Sequence, residues 1–196
     1  MNQAEFWNLV NRAHESSNGD MDQKCSLIKA NIESMSKEDA TEIRHLFDLA
    51  MDQAYSWELW AAAYIANGGC GDDSFSDFRA SLISRGEAEY NNALNDPDSL
   101  ADVPFDEEKW FYEGYQYAIT EGVESVLGSN PPRKSPHPES PSGSEWDEDD
   151  ENQLKNICPK LWEASQIRFS PPIPPAEPDP KVEKPQSIKK PWWKFW

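Results

Sequence analysis

The chain has 196 residues, of which 37% are hydrophobic, and a formal charge of −18 from 36 acidic and 18 basic side chains. That length holds one ordinary domain with appendages. The acidity argues against a nucleic-acid-binding body, which phosphate would repel. The charge is uneven, because residues 181–196 carry five Lys and one Glu, a net +4, and the remainder carries −22. Cys25, Cys70 and Cys158 are an odd number at wide spacings with no CxxC pair. The amino-terminal MNQAEFWNLV has no positive region ahead of an apolar run, and nothing approaches the roughly 18 apolar residues of a membrane span. The expectation is a cytoplasmic chain with free thiols.

In chain order, Phe6, Leu9, Val10 and Ala13 mark a first helix by their spacing, and Leu27, Ile28, Ile32 and Met35 a second. Ser36 with Asp39 resembles a capping box that opens a third helix, with Ile43, Leu46, Phe47 and Ala50 inward. The stretch Ala54–Leu82 is the centre of the chain: an aromatic and alanine-rich helix, a Gly68-Gly69-Cys70-Gly71 break, then a fifth helix capped near Asp73. A short helix follows over 87–95, and a long one over 107–127 begins at Asp106. Gly114 and Gly122 in that helix lower its propensity by about 1 kcal/mol each and let a neighbour approach closely. Trp57, Trp60, Trp110 and Trp162 are candidates to line a ligand pocket, but aromatics at helical spacing are usually core, and that reading is favoured.

These elements predict an all-α, compact multi-helix domain with appendages. Residues 1–127 form the helical core domain. Residues 128–144, rich in Pro, Ser and Gly, read as a flexible linker. Residues 145–168 read as a closing helix that packs back on the core, interrupted or kinked at Pro159. Residues 169–196 read as a disordered, Pro-rich, extended tail that ends in an aromatic and lysine motif.

Two stretches carry candidate function. The first is the Gly68–Asp73 loop, where Cys70, Asp72, Asp73, Asp77 and Arg79 converge in a reading that makes the chain an enzyme. Cys70 is then a nucleophile with His45 as its base, or the carboxylates hold a metal. The structural alternative, which the reading favours, is a glycine C-cap followed by an N-cap at Asp73. The loop lacks the Lys-Ser/Thr of a phosphate-binding loop. His14, His45 and His137 have no zinc-ligand spacing, and the acids from Glu145 to Glu151 lack the glycine of a calcium loop. No metal and no cofactor is expected.

The second stretch is the terminus, with Lys189, Lys190, Trp192, Trp193, Lys194, Phe195 and Trp196. Four aromatics within five positions on a Pro-rich arm call for a destination. The favoured one is a groove on a partner protein, with Trp as anchors and Lys at the rim. The others are an anionic membrane surface and the chain's own acidic body. The reading of the whole is a non-catalytic interaction protein, a helical scaffold with a docking tail.

The residues Trp57, Trp60, Ala63, Tyr64, Gly68, Gly69, Cys70, Asp72, Asp73, Phe75, Asp77, Phe78, Arg79, Leu82 and Gly86, with Pro97-Asp98-Ser99-Leu100, form a specific signature. In these the chain resembles the bacterial domain-of-unknown-function family 4240. The resemblance takes in the amino end and the late segment EWDEDDENQLKNICPKLWEAS, so it spans roughly residues 1–166 without the linker. It implies no activity, cofactor or catalytic residue.

Overall fold

Local capping chemistry starts the first three helices. In α1 (Gln3–Ser16), Asn2 Oδ1 accepts from Glu5 N at 3.0 Å and Glu5 Oε2 accepts from Asn2 N at 2.8 Å, a reciprocal capping box. Asp20 caps α2 (Met21–Glu33), and the expected Ser36 caps α3 (Lys37–Gln53) by accepting from Asp39 N at 3.1 Å. The structure, a computed structural model, describes residues 1–169. Among these there is no β-strand, only an isolated bridge between Ser56 and Ser142, and the fold is an all-α compact domain.

The centre is α4 (Trp57–Asn67). Its Leu59, Ala61, Ala62, Ala63, Ile65 and Ala66 are buried, and α5 (Asp72–Ile83) and the last two helices pack on it. Gly68 ends α4 in the left-handed region at φ 70°, where a side chain would be strained. The N-cap of α5 is Gly71, and it supplies no side-chain hydrogen bond, so the expected Asp73 cap is replaced by a backbone start two residues earlier.

After α6 (Glu87–Asn95) comes a 3₁₀ turn, Pro97–Asp102. The long helix expected over 107–127 is two, α7 (Glu107–Trp110) and α8 (Gly114–Leu127). The break has a tertiary cause. Ser81 Oγ on α5 accepts from Tyr112 N at 2.9 Å, and the rings of Trp110 and Phe111 both pack against Phe78. Those contacts draw the chain out of the helical path. Farther along α8, a Cβ on Gly122 would stand 3.1 Å from Ile32 Cβ, so this glycine does permit the close approach of α2.

The closing helix is also two pieces, α9 (Glu151–Ile157) and α10 (Pro159–Phe169), while 145–150 lies outside helix. Of the two outcomes expected at Pro159, interruption is the one seen, and the proline opens α10, as suits a residue that has no N–H to offer. The first turn of α10 is capped from a distance. Buried Asp98 accepts from Leu161 N at 2.9 Å and from Lys160 N at 3.2 Å. Leu154, Cys158 and Leu161 are buried in the common core.

Residues 128–144 contain no helix, and their basic side chains reach the acids of α3. Arg133 pairs with Asp48 at 3.1 Å and with Asp52, Lys134 pairs with Glu42, and His137 Nδ1 lies 2.7 Å from Asp52 Oδ1. Ser142 then exchanges backbone hydrogen bonds with Tyr55 and Trp57, both at 2.9 Å, and delivers the chain to the start of α4.

Candidate functional site

One face of α4 carries Trp57, Trp60 and Tyr64, spaced i, i+3 and i+7, and all three are only partly buried. The Trp57 and Trp60 rings stack at 5.3 Å with 10° between their planes, and Trp60 stacks in turn on Phe75 of α5 at 4.7 Å. The indole N–H of Trp60 donates to Cys70 O at 2.8 Å and pins the glycine loop against the helix. Opposite stands Trp146, edge-on to Trp57 at 6.1 Å and to Tyr64 at 5.0 Å.

Between these walls lies an open cleft of about 630 Å³. Trp57, Trp60, Tyr64, Cys70 and Trp146 form its floor and walls, and Glu145, Asp147, Glu148 and Gln153 its rim. The three carboxylates are exposed and have no basic partner among the described residues. Burial, then Glu148 and Asp149, raise the Tyr64 hydroxyl above its ordinary pKa. The cleft therefore presents flat apolar rings under a field of negative sign. It suits a segment with aromatic side chains and positive charge.

Of the tryptophans expected in the core, Trp110 is buried at 2% exposure, whereas Trp57, Trp60 and Trp162 are partly exposed. Trp60 stacks on both Trp57 and Phe75, and the two tryptophans stay partly exposed where they line the cleft. The helical period placed them on a common face but did not distinguish a core from a cleft.

The Gly68–Asp73 candidates are only partly brought together. Cys70 lines the cleft, but burial, then Asp77, push its thiol up to about 12. Among the described residues that line the cleft there is no histidine. His45 lies on α3, on the side that carries Glu42. Asp72 and Asp73 are exposed in the first turn of α5, where their charge suits the helix dipole. Arg79 is buried, stacked over Tyr55 at 4.7 Å and Phe75 at 4.9 Å, and its Nη1 donates to Met51 O at 2.9 Å. Its guanidinium ties α5 to α3. Burial, then Glu113 and Asp73, push the Asp77 carboxyl up to about 6. Among the described residues no group of three or more His, Cys, Asp or Glu is placed to hold a metal ion.

Lys189, Lys190, Trp192, Trp193, Lys194, Phe195 and Trp196 lie outside the described residues. Sequence reasoning missed Trp146 and the acids beside it as parts of a site. The adjacency of one Trp to a run of acids was the available signal, and it was read as a helix start.

The profile of a family described as "Protein of unknown function (DUF4240)" matches residues 1–124. The chain belongs to this family. No curated protein and no solved structure matches the chain. The match stops well short of residue 166, to which the resemblance had reached. In this DUF4240 protein the α4 wall of the cleft thus falls inside the matched region, and the Trp146 wall with its acidic rim falls beyond it.

Proposed function

We propose that this DUF4240 protein is a non-catalytic interaction protein, with the helical body as scaffold and Lys189–Trp196 as a motif that docks on a partner protein. The observation that supports the reading best is the chemistry of the cleft. It offers rings and carboxylates for recognition, and its one thiol is held protonated, with no histidine among the described residues of its lining. Aromatic anchors with charge at the rim are the usual carriers of binding energy at such surfaces. The motif has the matching composition, four aromatics among three lysines. A partner suited to it presents an apolar groove edged with acids.

The rival reading, an enzyme built on Cys70, Asp72, Asp73 and Arg79, has less support, because Arg79 is engaged by Met51, Tyr55 and Phe75. Docking on an anionic membrane is disfavoured by the charge of −18. Among the described residues no helix is long and apolar enough to cross a membrane. Cys25, Cys70 and Cys158 are free thiols, which suits a reducing compartment, and the proposal is set in the cytoplasm. A tagged pull-down with the full chain and with a chain lacking residues 187–196 tests the reading. Tail-dependent capture of a protein partner is expected. Recovery of the same partners without the tail sinks it, and tail-dependent flotation with anionic vesicles instead of protein capture replaces it with the membrane reading.

A further inference from the structure

We infer that the α4 cleft is the resting site of the chain's own C-terminal motif, so that residues 187–196 dock in cis on Trp57, Trp60, Tyr64 and Trp146. This rests on the reading of those residues as a docking motif and adds where the motif sits when no partner holds it.

Three observations converge on this occupant. The first is composition. Aromatic rings that stay partly exposed along the cleft are paired in this chain with a segment of surplus aromatics. The second is charge. Glu145, Asp147 and Glu148 stand at the rim without basic partners among the described residues, and the motif brings Lys189, Lys190 and Lys194 with no acid between 187 and 196.

The third is where the described residues end, at Phe169. Arg168 Nη1 donates to Ala66 O at 2.6 Å, at the carboxyl end of α4. The Phe169 ring lies over Gly68, where an added Cβ would stand 3.2 Å from Cζ. Phe169 thus rests on a glycine two residues from Cys70, which is itself part of the cleft wall. The connection is ample. Residues 170–191 span at most about 70 Å at ~3.3 Å each, whereas α4 is only about 16 Å long. A tether of this kind presents its end at an effective concentration of order 1 mM. A bare contact with a Kd of about 0.1 mM is then closed roughly ten times as often as it is open. A partner in trans must outcompete that concentration, so the cleft holds the motif back from weak partners and releases it to tight ones.

Hydrogen exchange on the full-length protein tests this, read at the amides of 68–71 and 144–149, which lie outside helices. One comparison chain carries Trp192→Ala, Trp193→Ala and Trp196→Ala, and a second carries Glu145→Lys, Asp147→Lys and Glu148→Lys. Far-UV circular dichroism confirms that each folds. Exchange at those amides is expected to rise roughly tenfold in the tail variant. It is expected to rise with added salt in the parent chain, and protection is expected to be independent of protein concentration. The rim variant is expected to lose the salt response. Equal exchange in parent and tail variant overturns the inference, as does protection that vanishes on dilution, which means docking between copies. The pull-down is read separately. Tail-dependent capture with unchanged exchange removes cis docking and leaves the docking motif standing, and the reverse result leaves the cis contact and removes the partner.

Discussion

The indole N–H of Trp146 donates to the backbone carbonyl of Trp57 at 2.8 Å, across 89 residues of sequence. Residue 57 is in the first turn of α4, where carbonyls are normally committed to the helix, so this bond anchors the later segment without disturbing the earlier one. It fixes the distance between the two walls of the cleft. Replacing Trp146 with Ala removes the bond and the ring contacts to Trp57 and Tyr64. Faster hydrogen exchange over 144–150 is expected with a global loss of only about 1–2 kcal/mol, because Trp146 is partly exposed. A loss of cooperative unfolding in urea would show instead that this side chain belongs to the main core.

Asp98 acts as a remote cap for α10. Both of its acceptors are in use, at Lys160 N and Leu161 N, in a buried setting. Asp98→Ala leaves two amides without partners and is expected to lower stability by about 1–3 kcal/mol. Asp98→Asn, which retains one acceptor oxygen, is expected to lose less. The urea midpoints of the two variants check the order.

Lys24 is 2% exposed and donates only to Ser84 Oγ at 3.2 Å. Burial, then the nearby Arg85, lower its pKa to about 8. Between about pH 8 and the ordinary 10.5 the folded state binds fewer protons than the unfolded one, so stability rises with pH across that window. Below it both states carry the charge, and the fold bears a buried ammonium without a carboxylate. Lys24→Met is expected to be more stable at pH 7 by about 1–3 kcal/mol. The advantage should shrink as pH passes 8 and be gone near pH 10.5. Urea denaturation at pH 7, 9 and 10.5 measures it, and a gap that stays constant with pH refutes the assignment.

The thiols give a chemical check on the catalytic alternative. Cys70 and Cys158 are pushed up to about 12 and Cys25 to about 11, in each case chiefly by burial. For Cys70, the rise from an ordinary 9.0 leaves about a thousandfold less thiolate at neutral pH. Alkylation by iodoacetamide at pH 7.5 is expected to be far slower in the native protein than in urea at all three positions. Rapid native modification of Cys70 would restore it as a nucleophile.

The helical period of the apolar residues revealed most of the fold, because burial of Phe6, Ile28, Ile43, Phe47 and Phe78 needs only one inward face per helix. What it missed are events between elements. Nothing local marks Tyr112 as the point where Ser81 captures the backbone, so α7 and α8 were read as one helix. The interruption at Pro159 was legible from the proline, but nothing local marks Asp98 as the cap of a helix 61 residues away. The cleft was half visible. Trp57, Trp60 and Cys70 were singled out on one wall, but Trp146 is brought to them only by the path of 128–144 along α3 and past Tyr55.

The position of α9 and α10 over α4 has a consequence for synthesis. The most apolar helix of the chain is complete at Asn67, but Leu154, Cys158 and Leu161, which help to cover it, come roughly 90 residues later. At about 5–20 residues per second the ribosome leaves that helix without this part of its cover for roughly 5–20 s. A chain ended near the boundary of the family match would lack Leu154, Cys158 and Leu161 and leave that side of α4 open to water.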